Sequence, residues 1–340
     1  MRALVWNGPH DMTLEEIETP QPEPGDVLVR VAAVGICGSD LHGYTGVSGR
    51  RTPGTVMGHE LTGVVERLEE GNDPSVAPGQ RVAVNPMKTC GICAYCKAGL
   101  EQLCPNRLVL GVNMGAAGAF SDYVTVPAAN AVPIADDTSN AEGAMAEPLA
   151  VALRAVNLSG LQAGQPALVL GGGTIGLCIL LVLRSRGVGP VFLTDRIQHR
   201  LDVARAIGAE ALSAEDDVTG RIMAATNDLG VTSSLDAVGI GLTIKQALQC
   251  TQRGGTLVLV GLANPSVDLA LYELVPQERV IKGSYAYSPE EYREAVQLIN
   301  ERVVDVRPLL EGTVSLDVAA AAFEALSSGK DESVKVIVEP

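Results

Sequence analysis

Ala167-Leu168-Val169-Leu170-Gly171-Gly172-Gly173-Thr174-Ile175-Gly176-Leu177 runs from a short apolar, strand-like segment through three adjacent glycines into an apolar, helix-like one. Gly171, Gly173 and Gly176 satisfy G-x-G-x-x-G. In a strand-turn-helix setting the first glycine permits the tight turn, the second lets backbone approach a pyrophosphate, and the third lets helix pack on strand. Thr174 and Ile175 open the helix, whose free N–H groups and dipole favour an anion. Asp195 follows 19 residues after Gly176, ending the strand-like run Pro190-Val191-Phe192-Leu193-Thr194-Asp195. A carboxylate there suits the ribose hydroxyls of an adenosine and repels a 2′-phosphate, so the expected cofactor is NAD rather than NADP. Arg196 and Arg200 keep an alternative open: either they clamp such a phosphate, or they are solvated residues at a helix start. Val260, in the later strand-like run Thr256 to Gly261, is a further candidate cofactor contact.

Outward from this loop, from about Ala141 to residue 281, strand-like and helical runs alternate. That alternation predicts an α/β domain with a doubly wound parallel sheet. The preceding residues have a different texture: Pro and Gly punctuate short runs such as Val27-Leu28-Val29-Arg30-Val31, Gly63-Val64-Val65, Arg81-Val82-Ala83-Val84 and Tyr123-Val124-Thr125-Val126. These predict an antiparallel, barrel-like β region. Helical patterns at Pro289 to Asn300 and Val318 to Leu326, then the strand-like Val334-Lys335-Val336-Ile337-Val338, predict a tail that rejoins this first region. The domains are thus expected over 1–150 with 282–340, and over 151–281. A chain of 340 residues suits two domains, because single cores stop growing near about 250–300 residues.

With 46% hydrophobic and 19% charged residues the chain has material for packed cores and no disorder signature. Its net charge of −15, without a basic run, opposes nucleic acid and anionic membrane as partners. No leader-like apolar segment opens the chain, and Leu177 to Leu183 is far short of the roughly 20 residues a spanning helix needs. A cytoplasmic protein is expected, with its cysteines reduced.

Cys90, Cys93, Cys96 and Cys104 form C-x2-C-x2-C-x7-C. Four thiolates satisfy tetrahedral zinc with no open position, which predicts a structural site. A second candidate set is dispersed: Cys37 in Gly35-Ile36-Cys37-Gly38-Ser39-Asp40-Leu41-His42, His59 and Glu60 in Gly58-His59-Glu60, and Glu147 in Met145-Ala146-Glu147-Pro148-Leu149. Thiolate, imidazole and carboxylate leave a fourth position for water or substrate, the composition of a catalytic zinc. Taken singly, each also reads as a buried thiol, a core histidine or a helix-start glutamate, and no local spacing links them.

These motifs, in this order and over the whole chain, resemble the zinc-dependent medium-chain alcohol dehydrogenases, and especially the branch of sorbitol, threonine and butanediol dehydrogenases. The resemblance implies a Rossmann domain inserted into a GroES-like catalytic domain. It implies two zinc ions per chain, NAD, and a homo-oligomer, tetramer or dimer, built through the cofactor domain. Cys37, His59 and Glu147 become ligands of the catalytic zinc, with Glu60 a nearby carboxylate that holds zinc-bound water or exchanges onto the metal. Thiolate plus carboxylate carry −2, which matches Zn²⁺. The implied reaction interconverts a small secondary alcohol, diol or polyol and its ketone: zinc acidifies the alcohol, hydride passes to nicotinamide C4, and the proton leaves through Ser39, a ribose hydroxyl and His42. Outside that resemblance Ser39 reads as a turn hydroxyl and His42 as a surface histidine. Polyol or threonine dehydrogenase is the alternative within the branch. A zinc-free reductase or a non-catalytic relative would lack the ligands, and none is missing. Ala286 departs from the sorbitol pattern, where an arginine typically grips the outer hydroxyls of a long polyol. Tyr44 is either a wall of that pocket or a plain core tyrosine.

Overall fold

The computed structural model describes residues 1–68, 76–113 and 118–340. The chain forms two compact units. One comprises Met1–Glu147, Ser288–Arg302 and Leu310–Pro340, the other Pro148–Tyr287 and Val303–Leu309.

The main sheet of the first unit is ordered Ala131–Pro133, Arg81–Val84, Glu60–Leu68, Asp26–Gly35, Lys335–Glu339, Leu310–Ser315, with Tyr123–Pro127 also paired to Asp26–Gly35. Side chains alternate across a strand, so Val27, Val29 and Val31 share one face and are buried with Leu61, Val65, Val82, Val84, Val124 and Val126. The C-terminal strand enters the same sheet, antiparallel to Asp26–Gly35 and parallel to Leu310–Ser315. The helices read from pattern are present as Pro289–Asn300 and Ala319–Ser327. One feature of register matters most for the site: Gly35 stands opposite Glu60 on one side and Ile337 on the other.

The second unit carries six parallel strands ordered Glu210–Ser213, Val191–Asp195, Ala167–Leu170, Val231–Asp236, Thr251–Leu259, Val280–Gly283.

In sequence terms that is the order 3-2-1-4-5-6 of a doubly wound sheet. Its central strands Ala167–Leu170 and Val191–Asp195 are buried on both faces, which is why Leu168-Val169-Leu170 and Phe192-Leu193 read as unbroken apolar runs. The strand expected at Thr256 to Gly261 begins earlier, as Thr251–Leu259, and leaves Val260 just beyond it with its N–H donated to the Asp236 carbonyl. The strand order reverses between Ala167–Leu170 and Val231–Asp236, and such a reversal is where doubly wound sheets bind ligands. Among the described residues no helix is long and apolar enough to cross a membrane.

Candidate active site and cysteine lobe

The strand Asp26–Gly35 delivers Cys37 to the N-cap of the helix Gly38–Tyr44, and the Cys37 N–H donates to Asp40 Oδ2 at 3.2 Å. Asp40 is the third helical residue, where a carboxylate satisfies an N–H left free at a helix start. His59 immediately precedes the neighbouring strand Glu60–Leu68, whose Glu60 is registered opposite Gly35. The turn before it requires glycine: Gly58 has φ +99°, and a Cβ there would meet the backbone nitrogen and ring of Phe120 at 2.9 Å.

Cys37, His59 and Glu60 consequently present one ligand atom each within 4.8 Å of one another. Ser39 joins them, its hydroxyl 3.4 Å from Cys37 Sγ and 3.5 Å from His59 Nε2. His42 lies one helical turn after Ser39 and is exposed. Glu147 is buried near the start of the helix Ala146–Ser159, outside the group of three. Its charge and, before that, burial raise the pKa of the fully buried Tyr292 phenol.

The donor set suits a cation. Burial would lower the pKa of the His59 imidazole, yet Asp40 and Cys37 outweigh it and hold it well above the ordinary value. Burial would likewise raise the Asp40 carboxyl, but His59, Arg51 and the Cys37 N–H keep it below the usual range. Positive charge is therefore favoured at this spot. His59 Nδ1 lies 3.4 Å from Asp40 Oδ1, which leaves Nε2 on the side of Ser39 and Cys37.

Glu60 is held from behind. Lys335 Nζ donates to its Oε2 at 2.6 Å and to the Ile36 carbonyl at 2.9 Å, and both side chains are 1% exposed. Nothing assigned Lys335 a role from sequence, although a lone lysine inside the apolar run Val334 to Val338 is itself a signal, since an ammonium is almost never fully buried unless paired. Asp40 was visible only as a member of the Cys37 motif, and Arg51 carried no sequence signal.

In the cysteine lobe, Cys93 N-caps the short helix Ala94–Lys97 and accepts the Cys96 N–H. The Sγ atoms of Cys93 and Cys96 are 3.5 Å apart, those of Cys104 and Cys90 3.5 Å, and those of Cys90 and Cys96 3.9 Å. Tetrahedral zinc with Zn–S bonds of about 2.3 Å requires S···S edges of roughly 3.8 Å. The four thiols fit that ion. Backbone N–H groups of Ile92 and Cys93 bring the Cys90 pKa down to about 6, whereas burial and then Cys93 and Cys104 push Cys96 up to about 11.

In the second unit the glycine loop has the chemistry of a phosphate cradle. Gly173 N-caps the helix Thr174–Ser185, with Thr174, Ile175 and Gly176 forming its first turn. Asp195 accepts the Gly172 N–H at 2.6 Å and the Ile197 N–H at 2.8 Å, so it braces the loop. Arg200 Nη1 stands 4.0 Å from Asp195 Oδ2, and Arg196 is exposed. Asp236, unassigned from sequence, is fully buried and accepts N–H groups of Val238 and Gly239 and the Thr243 hydroxyl. Burial raises its pKa despite those bonds. Tyr44 proves to be a core residue: it is buried, its ring packs on Phe323, and its hydroxyl donates to Glu324 at 3.1 Å.

A doubly wound unit with a glycine loop, together with a β-rich unit that gathers two groups of candidate metal ligands, is the architecture of a zinc-type, nucleotide-linked oxidoreductase. Residues 23–136 match the alcohol dehydrogenase GroES-like domain and residues 174–301 the zinc-binding dehydrogenase domain. A sorbitol dehydrogenase of Bacillus subtilis (strain 168) is 32% identical, over 100% of this chain and 97% of its own length. The (R,R)-butanediol dehydrogenase of the same strain is 32% identical over 100% of both chains. A zinc-binding dehydrogenase of Sinorhizobium meliloti 1021, solved bound to NADP, superposes with a TM-score of 0.91 at 31% identity, covering 100% of this chain and 99% of that one. The chain belongs to the zinc-dependent medium-chain alcohol dehydrogenase family.

Proposed function

We propose that this protein is an NAD-linked dehydrogenase of short secondary alcohols and vicinal diols, with two zinc ions per chain in different roles. The convergence of Cys37, His59 and Glu60 beside Ser39 carries the reading. Cys37 and His59 would hold the catalytic ion with Glu147 as third ligand, while Glu60, tied to Lys335 through Oε2, supplies the nearby carboxylate. The four cysteines would hold the second ion. When bound, the catalytic zinc supplies Lewis acidity to the substrate hydroxyl. Ser39 then receives the hydroxyl proton, and the exposed His42 passes it to solvent. The glycine loop binds the pyrophosphate, and Asp195 the adenosine ribose. In this reading the enzyme is a cytoplasmic homo-oligomer, a setting that keeps a tetrathiolate lobe reduced.

Two relatives act, by name, on sorbitol and on butanediol. Ala286 supports the shorter substrate, because it offers no donors to distal hydroxyls, and each hydroxyl buried without a partner costs about 1–3 kcal/mol. The test is kcat/KM with NAD⁺ for 2,3-butanediol and for sorbitol, run beside elemental analysis. The expected result is a preference for the diol in protein carrying close to two zinc ions, of which a chelator removes one first. A tenfold preference for the hexitol, about 1.4 kcal/mol in transition-state binding, overturns the substrate assignment; active enzyme free of zinc overturns the mechanism.

Asp195 decides the cofactor in the same reading. Replacing it with glycine removes the charge that opposes a 2′-phosphate and frees Arg200, 4.0 Å away, to meet one. The NADP to NAD ratio of kcat/KM is expected to rise at least about tenfold in Asp195→Gly. Native enzyme that already prefers NADP, the cofactor bound to the Sinorhizobium relative, would assign the contest to Arg196 or Arg200.

A further inference from the structure

Behind the His59 ring lies an arginine that the reaction chemistry does not use. Arg51 precedes the short strand Thr55–Val56, yet its side chain is only 2% exposed, beside 0% for Asp40 and 7% for His59. Asp40 Oδ1 has His59 Nδ1 at 3.4 Å and Arg51 Nη2 at 3.7 Å, while Oδ2 accepts the Cys37 N–H. The guanidinium is anchored independently: Nη1 donates to the Val112 carbonyl at 3.1 Å. Its stem fills the space over Gly43, where a Cβ would stand 3.1 Å from Arg51 Cγ and Nε. Asp40 Oδ1, His59 Nδ1, and Arg51 Nε and Nη2 are all buried without a hydrogen-bond partner.

Such a buried ion pair is a poor source of stability, because desolvation offsets the attraction. Its placement explains it better. Asp40 touches both candidate ligands, Cys37 through its backbone N–H and His59 through ring Nδ1, and partners of this kind set the orientation of a ligating imidazole. A carboxylate in that position needs a fixed direction of pull. A guanidinium keeps its charge throughout the working pH range, and this one is tethered at its far end.

We propose that Arg51 is a positioning residue of the catalytic metal site, acting through Asp40 to fix the His59 ring with Nε2 toward Cys37 and Ser39. The proposal rests on the reading of Cys37 and His59 as metal ligands.

The experiment follows zinc release from the loaded enzyme to a chromogenic chelator under native conditions, for wild type, Arg51→Met and Arg51→Gln. The wild type is expected to release one ion before the other. In Arg51→Met the first ion should leave roughly 10- to 100-fold faster, the range typical when a ligand's supporting partner is lost, while the ion of the four cysteines leaves at its wild-type rate. A merely structural role would lower the melting temperature without singling out one metal. Arg51→Gln keeps a donor for the Val112 carbonyl but gives up the charge, and it carries the test if Arg51→Met does not fold; it too is expected to lose the first ion faster. Release at the wild-type rate from a folded variant overturns the proposal. Wild type that binds only the ion of the four cysteines overturns instead the ligand reading beneath it.

Discussion

His59→Ala is expected to lower kcat/KM by at least three orders of magnitude, about 4 kcal/mol of transition-state stabilisation, and to reduce bound zinc from two ions to one. The ring supplies a donor within 4.8 Å of Cys37 and Glu60, and no other histidine is in that group. Alanine also removes a buried partner of Asp40, at a cost of roughly 1–3 kcal/mol in stability, so the protein should stay folded with a lowered melting temperature. Elemental analysis, calorimetry and steady-state kinetics read the three consequences separately. Turnover within tenfold of wild type would remove His59 from the chemistry. The same measurements separate the two carboxylates. Glu147→Ala should lose both turnover and the ion, whereas Glu60→Gln should keep the ion. Gln is the informative choice at Glu60, because alanine would take away the carboxylate that balances the buried Lys335 ammonium, and breaking a buried pair costs about 3–5 kcal/mol. If Glu60→Gln loses the ion and Glu147→Ala keeps it, Glu60 is the third ligand.

What was legible in the sequence is what local spacing encodes. The glycine loop, the strand before it and Asp195 form a continuous pattern, and the parallel sheet follows from alternating periods. The cysteine lobe is equally local, four thiols within 15 residues. The catalytic group is not local: Cys37 and His59 are 22 residues apart in the chain, and only the register that sets Gly35 against Glu60 brings them together. Family resemblance supplied those ligands; periodicity alone could not. Arg51 and Lys335 lay beyond both routes. Each is a cation whose meaning comes from a carboxylate reached through tertiary packing, across 11 residues for Arg51 and Asp40 and 275 for Lys335 and Glu60. Tyr44 shows the converse, since a side chain beside the Cys37 motif turns inward to Phe323 and Glu324.

Gly176→Ala is expected to weaken nucleotide binding at least about a hundredfold while sparing the zinc sites. Gly176 lies in the first turn of the helix Thr174–Ser185, and a Cβ there would overlap the carbonyl oxygen of Gly171. Backbone on both sides of that clash is committed. The Gly171 N–H is donated to the Thr194 carbonyl, and the neighbouring Gly172 N–H to Asp195. Leu177, Ile179, Leu180 and Leu183 of the helix are fully buried. Relief therefore requires the helix start to move away from the end of Ala167–Leu170, which withdraws the N–H groups that would meet the pyrophosphate. Overpacking of a buried site costs about 1–3 kcal/mol, a loss a domain of this size can absorb, whereas a binding surface displaced by even an ångström forfeits most of its contacts to a small anion. Titration with NADH, followed by nicotinamide fluorescence, should show at least a hundredfold weaker dissociation constant, about 2.7 kcal/mol. Zinc content near two per chain in the same preparation separates this from global unfolding. NADH affinity within threefold of wild type would mean that the loop does not bind the pyrophosphate, and the assignment of the second unit to the cofactor would fall with it.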